Sequence, residues 1–251
     1  MHAIILAGGF GTRLRHVVAD VPKPLAPVAG RPFLAWLLES LARRGIGSAT
    51  LSVHYEWEKI RDYFAHHPAP FPVDFAVEKA PLGTGGAMMS TLSLWERGGA
   101  SLGEGAFPRT RSLSEAEAIF ILNGDTFVAL DFKKMWAQHM AAGATLSMAL
   151  RQVPDTSRYG EVRVQNGIIT AFGEGRDGAP GLINAGVYLA SPAIFEGSAM
   201  PEAFSFERDF LPTRLAALTP RAFIAEEYFI DIGIPEDYAR ACRELPEVIG
   251  K

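Results

Sequence analysis

A glycine-rich stretch near the start of the chain combines backbone and side-chain groups that can bind phosphate. It runs from Leu6 to Leu14 (LAGGFGTRL) and is followed, from Pro22, by the sequence PKPL. Its three glycines let the backbone approach a ligand closely, so that its N–H groups can contact phosphate oxygens. Arg13 adds a planar guanidinium, and Lys23 adds a point charge on a loop stiffened by two prolines. Together, these groups predict a binding site for a polyphosphate.

Two common phosphate-binding loops do not match this stretch. A dinucleotide-binding loop has the pattern GxGxxG, whereas the residue three positions after Gly11 is Leu14. A P-loop needs GxxxxGK followed by serine or threonine, and no lysine here has that place. The structural alternative is a tight strand-to-helix turn with two unrelated surface cations, which would leave the combination of Arg13 and Lys23 unexplained.

Two aspartates that follow apolar runs predict a metal site. Asp125 comes shortly after the run Phe120–Leu122, and Asp231 comes directly after Tyr228–Ile230. Mg²⁺ prefers one or two carboxylates together with waters and substrate phosphates. Capping or turn roles are the structural alternative, and they account for either aspartate alone better than for both.

The first half of the chain alternates apolar runs with helical patterns. We expect strands at Ala3–Ala7, Ala49–Val53, Val73–Val77 and Ala118–Leu122, and helices over Phe33–Leu41, Trp57–Phe64 and Gly83–Leu94. Repeated strand–helix units predict an α/β fold with a Rossmann-like, mostly parallel sheet flanked by helices. Ligands bind at the carboxyl ends of such strands. The glycine loop, Glu78 and Asp125 each fall at such an end.

The second half is less regular. We expect strands at Thr145–Val153, Gly160–Gln165, Ile168–Phe172 and Leu182–Ala190, helices at Ser205–Leu218 and Pro235–Leu245, and extended chain over Arg221–Ile232. The pair Asn166-Gly167 predicts a type I′ hairpin turn. We expect a single domain over residues 1–251, in which the second half, 131–251, covers the sheet of the first half, 1–130.

The composition excludes several classes of protein. The net charge is −4 without any basic block, which argues against a nucleic-acid partner. The lone Cys242 cannot form an internal disulfide. No apolar run approaches the ~20 residues that a membrane span needs, and a strand begins at once, so we expect a cytoplasmic protein without a signal peptide. The polar, glycine-rich stretch Glu96–Glu117 predicts a surface loop, with a lid or an oligomer contact as the alternative.

The chain resembles the sugar-phosphate nucleotidyltransferases, whose signature is GGxGTRL followed by PKPL. Further matches follow in the family's order: EKAPLGTGGA from Glu78, NGDT from Asn123, RYG from Arg158, INAGVY from Ile183 and FIDIGIPEDY from Phe229. Within the family, the last of these is most similar to the D-glycero-α-D-manno-heptose 1-phosphate guanylyltransferases. The resemblance implies a nucleotidyltransferase (GT-A-like) architecture with a sugar-binding lobe in the second half.

The reaction that the resemblance implies joins a nucleoside triphosphate to a sugar 1-phosphate. An oxygen of the sugar phosphate attacks the α-phosphorus, and pyrophosphate leaves. No strong base is needed, because a phosphate monoester has a second pKa near ~6 and is mostly dianionic at neutral pH. By resemblance, the catalytic residues are Arg13 on the triphosphate, Lys23 between the two phosphates, and Asp125, which holds Mg²⁺ together with Asp231.

The resemblance also implies a nucleotide-binding set. Its members are Leu6, Ala7, Gly8, Gly9, Gly11, Thr12, Arg13, Glu78, Pro81, Leu82, Gly83 and Thr84. Glu78 bears on the choice of base, because one carboxylate can accept both N1–H and the 2-amino group of guanine. This favours GTP. A charge at the N-terminus of the following helix is the structural alternative for Glu78.

The sugar-binding residues implied by resemblance are Gly124, Tyr159, Gly160, Glu174, Arg176 and Asn184. Here the chain departs from the family, which usually has a lysine directly after this glutamate to hold the sugar phosphate. Gly175 occupies that place, and Arg176 follows. Either Arg176 substitutes for the lysine or the sugar phosphate is held more loosely.

We therefore expect an enzyme that makes a GDP-sugar, GDP-heptose above all, for surface polysaccharide synthesis. Alternatives within the family are mannose 1-phosphate guanylyltransferases and uridylyl- or thymidylyltransferases. An alternative of another class is a non-catalytic, nucleotide-sugar-sensing regulatory subunit. The presence of Lys23, Asp125 and Asp231 argues against a sensor. The residues leave the identity of the sugar, and whether the chain forms a homo-oligomer, open.

Overall fold

The computed structural model describes residues 1–9, 11, 14, 18, 21–96 and 118–250. Its strands are β1 (His2–Leu6), β2 (Pro27–Val28), β3 (Arg31–Pro32), β4 (Ser48–Val53), β5 (Val73–Val77), β6 (Ile119–Asn123), β7 (Thr126–Val128), β8 (Leu146–Val153), β9 (Glu161–Gln165), β10 (Ile168–Gly173), β11 (Gly181–Ala190), β12 (Arg221–Ile224) and β13 (Phe229–Asp231). Its α-helices are α1 (Phe33–Arg43), α2 (Trp57–His66), α3 (Gly83–Glu96), α4 (Phe132–Ala141), α5 (Leu211–Leu218) and α6 (Pro235–Gly250). The expected α/β fold is confirmed.

Nine of the strands form one sheet that runs through both halves of the chain, in the order β5-β4-β1-β6-β11-β8-β12-β10-β9. The strands of the first half, β5, β4, β1 and β6, are all parallel. In the second half, β11 is antiparallel to both β6 and β8, whereas β12 is parallel to β8. The parallel character expected for the sheet is therefore confined mainly to the first half, and the second half extends the sheet as well as covering it.

Hydrophobic side chains cover both faces of the central strands. On β1, Ala3 and Ile5 belong to a core cluster with α1, α4 and α6, whereas Ile4 belongs to a second cluster with α3 and α5. All three side chains are fully buried. Alternate residues of a strand point to opposite faces, so both faces of β1 are closed to ligands. Functional groups must therefore lie at the ends of such strands.

The four strands expected in the first half lie within one residue of their observed positions, and α1, α2 and α3 begin where expected. The type I′ turn is confirmed by positive φ angles at Asn166 (53°) and Gly167 (74°). Two expectations need correction. The expected helix Ser205–Leu218 is a π-helical turn, Phe206–Phe210, followed by α5, since Pro212 has no N–H to continue an α-helical ladder. The extended stretch Arg221–Ile232 divides into β12 and β13, which belong to different sheets.

Some expectations fall on residues outside the described ranges. These include all of the expected surface loop after Glu96, as well as Thr12 and Arg13 in the glycine loop. Among the described residues, no helix is both long enough and apolar enough to cross a membrane.

Candidate active site

The carboxyl ends of the parallel strands meet at one edge of the sheet. Leu6, the last residue of β1, is in register with Ser52 on β4 and with Asn123, the last residue of β6. The segments that follow these strands therefore leave the sheet side by side. They carry the glycine loop and Asp125, as the sequence pattern indicates.

Gly124 brings Asp125 against the glycine loop. Its N–H donates a hydrogen bond to the carbonyl oxygen of Leu6 at 2.9 Å. A Cβ atom at position 124 would lie 2.7 Å from that oxygen and 3.2 Å from the Cα of Ala7. Only glycine fits this approach without displacement of the backbone. Gly124, expected on the sugar side, thus packs against the chain that leads into the nucleotide loop.

Lys23 points into this edge of the sheet and pairs with Asp125. Its ammonium Nζ lies 2.6 Å from Asp125 Oδ2, and its side chain is only 10% exposed, against 39% for Asp125. The hydrocarbon stem of Lys23 packs on Gly11, whose φ is +58° and whose Cβ would lie 2.8 Å from the Cβ of Lys23. Pro22 and Pro24 flank the lysine in a short 3-10 turn. The lysine is therefore held on both sides by rigid chain.

Asp231 lies beside Asp125 although 106 positions separate them in the sequence. Strand β13 pairs antiparallel with β7, placing Asp231 opposite Thr126, and the N–H of Ile232 donates to the carbonyl of Asp125 at 3.0 Å. The Asp231 Oδ1 accepts the N–H of Gly233 at 2.7 Å. The two aspartates expected to share a metal are thus neighbours across a two-stranded ladder.

Glu78 lies next to the glycine loop and is held by two hydrogen bonds. Its Oε1 accepts the hydroxyl of Ser52 at 2.8 Å, and its Oε2 accepts the N–H of Leu82 at 3.3 Å. A Cβ at Gly8 would lie 3.0 Å from Oε1. Burial raises the pKa of Glu78, and the two hydrogen bonds only partly offset this effect. Further donors, such as those of a guanine, would stabilise this half-buried carboxylate.

The glycines at the start of α3 accommodate a later segment of the chain. A Cβ at Gly85 would lie 2.1 Å from the ring of Phe204, and one at Gly86 would lie 2.3 Å from the carbonyl oxygen of Glu202. The N–H groups of Gly85 and Gly86 both donate to the carbonyl of Phe204. The hydroxyl of Thr84 donates to Glu207 at 2.6 Å. These groups hold the helix start in place, so they are not free for a phosphate.

The remaining members of the expected nucleotide set lie around this helix start. Leu82 is buried, whereas Pro81 and Gly83 are exposed. Gly83 has a φ of +69°, and a Cβ there would lie 2.6 Å from the carbonyl oxygen of Phe204. The turn into α3 therefore depends on glycine, and Pro81 and Gly83 lie on its exposed side.

Tyr159 and Gly160 lie in the loop between β8 and β9, beside the Asp231 ladder. The ring of Tyr159 packs edge-on against Phe229, with centroids 6.1 Å apart. Burial raises the pKa of Tyr159, with a smaller effect from the nearby Asp231. Gly160 has a φ of +79°, which only glycine adopts readily. This expected sugar-side loop is therefore adjacent to one of the two aspartates.

Gly175 has a structural reason to be glycine. A Cβ at this position would lie 1.9 Å from the carbonyl oxygen of Thr156. A lysine could not occupy the position unless the backbone moved. Arg176 forms an ion pair with Glu161 at 3.1 Å, and its side chain is 64% exposed. Glu174 is exposed just beyond β10. The partner of Arg176 in the structure is therefore Glu161, and Arg176 is not paired with the Lys23–Asp125 site.

Sequence reasoning missed two residues of α6 that fix the surrounding loops. Buried Asp237 accepts a hydrogen bond from Arg158 at 2.8 Å and forms an ion pair with Arg240 at 3.1 Å. The hydroxyl of Tyr238 donates to the carbonyl of Pro27, close to the Lys23 turn. Both residues belong to the FIDIGIPEDY stretch from Phe229, in which only Asp231 was expected to have a role.

Glu207 was missed as well. It joins Thr84 to Tyr188, which in turn contacts Asn184, an expected sugar-binding residue. An acidic residue directly after the buried Phe206 was the available signal, because a carboxylate at such a place needs polar partners inside the fold.

The chain is similar to known proteins along most of its length. A family model described as Nucleotidyl transferase matches residues 2–248. The chain is 39% identical over 249 residues to a D-glycero-alpha-D-manno-heptose 1-phosphate guanylyltransferase of Aneurinibacillus thermoaerophilus, an alignment that covers 99% of this chain and 100% of the relative. It is also 39% identical to the protein of the same name from Campylobacter jejuni, over 95% of this chain and 97% of that protein.

A solved structure extends the similarity to three dimensions. The crystal structure of HddC from Yersinia pseudotuberculosis complexed with GMP-PN superposes with a TM-score of 0.79 at 36% identity, covering 97% of this chain and 98% of that one. The family match spans nearly the whole chain, and the alignments with the two relatives cover at least 95% of each protein. The chain therefore belongs to the nucleotidyl transferase family.

Proposed function

We propose that this chain transfers the guanylyl group of GTP to a sugar 1-phosphate, D-glycero-α-D-manno-heptose 1-phosphate, and releases pyrophosphate. The names of the two relatives and the GMP-PN complex of HddC support the choice of substrates. The observation that carries the proposal is the partly buried Lys23–Asp125 ion pair, which lies between the glycine loop and Asp231. GTP consumption fits the cytoplasm, where we propose that the chain acts.

The chemistry requires two anions to approach each other. Lys23 provides a positive charge at the edge of the sheet where the triphosphate and the sugar phosphate would meet, and Asp125 fixes the direction of its ammonium. Because Lys23 is held by its flanking prolines and by Gly11, its charge needs little reorganisation during the reaction. The sugar phosphate is already ionised, so none of these residues has to act as a base.

Asp125 and Asp231 suit Mg²⁺ by number and by chemistry. They offer only oxygen ligands, Asp231 from the end of β13 and Asp125 from the turn before β7, the strand that pairs with β13. No group of three or more His, Cys, Asp or Glu side chains elsewhere in the described part of the chain competes as a metal site. Mg²⁺ is usually held by one or two carboxylates plus substrate phosphates. When bound there, it would neutralise charge on the triphosphate. The residues present therefore fit a magnesium ion.

Glu78 gives the preference for guanine. Its carboxylate is half-buried beside Gly8 and has lone pairs left after accepting hydrogen bonds from Ser52 and Leu82. Guanine offers two adjacent donors, whereas uracil and thymine offer one N–H between carbonyls. Inosine lacks the 2-amino group, and losing that contact costs roughly 1–3 kcal/mol, or about 5- to 150-fold in kcat/KM.

The test is pyrophosphate release from GTP, ITP, UTP and dTTP, each combined with heptose, mannose and glucose 1-phosphates. We expect GTP with the heptose phosphate to give the highest kcat/KM, and Glu78→Gln to reduce the preference for GTP over ITP. A higher kcat/KM with UTP or dTTP would overturn the choice of base. Binding of GTP and sugar phosphates without any pyrophosphate release would instead indicate a nucleotide-sugar sensor.

A further inference from the structure

A continuous chain of hydrogen bonds links the start of α3 with β11. Thr84 and Ser205 donate their hydroxyls to Glu207 Oε2, at 2.6 and 3.2 Å. Tyr188 donates its hydroxyl to the other oxygen, Oε1, at 2.7 Å. Asn184 Nδ2 then donates to the hydroxyl oxygen of Tyr188, also at 2.7 Å. Glu207 thus joins a residue expected at the nucleotide with one expected at the sugar.

The chemistry of the groups at its ends decides which group donates and which accepts at each step of this series of hydrogen bonds. A carboxylate can only accept hydrogen bonds, so the hydroxyl of Tyr188 has to donate to Glu207. The tyrosine oxygen must then accept from the Asn184 amide. Tyr188 is fully buried, and burial, reinforced by the charge of Glu207, raises its pKa well above the ordinary value. The proton therefore stays on the tyrosine, which keeps the tyrosine as the donor to Glu207.

The donor and acceptor roles in this series of hydrogen bonds fix the orientation of the Asn184 side-chain amide. Its Nδ2 faces Tyr188, and its Oδ1 accepts the N–H of Gly186 at 3.0 Å. One amide N–H and one carbonyl lone pair are left over. A sugar hydroxyl both donates and accepts, so it matches this remaining pair of groups. Asn184 is half-buried, which leaves part of it open to a ligand.

We infer that Glu207 is a positioning residue which orients Asn184 through Tyr188 for a sugar hydroxyl and which, through Thr84, also holds the start of α3 at the nucleotide. The inference rests on the proposed function. It assigns a shared structural centre to the two substrate sites. The two carboxylate oxygens have different partners. Oε1 accepts from Tyr188 on the sugar side, and Oε2 accepts from Thr84 on the nucleotide side.

This division predicts different effects for two substitutions. Tyr188→Phe removes the hydroxyl that connects Glu207 Oε1 to Asn184 but leaves the Thr84 contact with Oε2 in place. We therefore expect it to raise the KM and the calorimetric Kd for the sugar 1-phosphate by about 5- to 10-fold. The KM for GTP should change less than about 2-fold. Glu207→Ala removes both links and should raise both KM values. Glu207→Gln keeps one of the two acceptor oxygens, so it should raise the two KM values less than Glu207→Ala does.

Tyr228→Phe is the matched control, because the Tyr228 hydroxyl likewise donates to a glutamate, Glu244, at 2.7 Å. It should leave the KM for the sugar phosphate unchanged. Asn184→Ala provides the second control. If Tyr188 acts through Asn184, the double variant should bind the sugar phosphate no more weakly than Asn184→Ala alone. Thermal unfolding of each variant shows whether a loss of stability accompanies the effect.

Three results would overturn the inference. They are an unchanged sugar-phosphate affinity in Tyr188→Phe, an unchanged affinity in Asn184→Ala, or effects of the two substitutions that multiply in the double variant. Calorimetry reports sugar-phosphate binding without turnover, so these results are distinguishable from failure of the proposed function. That failure would appear as wild-type protein which binds the sugar phosphate yet releases no pyrophosphate with any nucleotide. Wild-type protein that binds no sugar phosphate would overturn both.

Discussion

At the residue scale, the site depends on contacts between side chains from separate segments of the chain. Lys23 Nζ and Asp125 Oδ2 lie 2.6 Å apart although 102 positions separate the two residues in the sequence. The glycine in place of the family lysine is another example. Its cause is the carbonyl of Thr156, a contact between separate loops that local sequence does not encode.

Removing the charge of Lys23 should slow the reaction far more than it destabilises the protein. We expect Lys23→Ala to lower kcat by at least ~10²-fold, because it removes a preorganised charge from a developing anion. The exposed Lys134 supplies the control, and Lys134→Ala should retain wild-type turnover. Near wild-type kcat in folded Lys23→Ala protein would remove the lysine from the mechanism.

The raised pKa of Glu78 predicts how stability depends on pH. A carboxyl group whose folded pKa lies above its unfolded value stabilises the fold fully below the unfolded pKa, and this contribution is lost as pH rises through the folded pKa. From about 4.3, the ordinary glutamate value, upward, the wild type should therefore lose stability relative to Glu78→Gln, until Glu78 is fully ionised. Urea unfolding of both proteins between about pH 4 and 8 measures this. A wild type that gains relative stability over this range would show that the pKa is lowered.

At the scale of elements, the strands of the parallel half could be predicted closely because short apolar runs with clear ends define them. The hydrophobic pattern alone did not predict the structure where a proline lies within a helical periodicity. The periodicity from Ser205 to Leu218 is helical, but Pro212 interrupts the hydrogen bonding and leaves a π-helical turn before α5. The helix α6 extends beyond Leu245 because Leu245 and Ile249 are both buried against the core.

The close packing of β1 against the turn after β6 can be tested with one methyl group. Gly124→Ala places a Cβ 2.7 Å from the carbonyl oxygen of Leu6, so we expect a loss of about 1–3 kcal/mol in the free energy of unfolding, together with lower kcat. Gly47→Ala is the control, because the nearest atom to a Cβ there is 4.0 Å away. Equal stabilities for the two variants would contradict the proposed tight contact.

At the scale of the whole molecule, the continuity of the sheet was beyond sequence reasoning. Local patterns indicate that β11 is a strand, but its position between β6 and β8 depends on pairing between residues far apart in the chain. The same long-range pairing brings β13 to β7 and Asp231 to Asp125. The site therefore depends on the complete fold.

The two-aspartate site predicts dependence on a divalent cation. Excess EDTA should abolish turnover, and added Mg²⁺ should restore it. Asp125→Asn and Asp231→Asn should each lower kcat much more than they lower the unfolding temperature, whereas Asp177→Asn, at an exposed position, should do neither. Full turnover in excess EDTA would contradict the magnesium site.

The central claim is that an oxygen of the sugar phosphate attacks the α-phosphorus of GTP. It is tested most directly by a reaction with sugar 1-phosphate labelled with ¹⁸O at its non-bridging phosphate oxygens, followed by mass spectrometry of both products. The account predicts that all of the label is retained in the GDP-sugar and that the pyrophosphate is unlabelled. Labelled pyrophosphate, or a GDP-sugar that has lost the label, would contradict it.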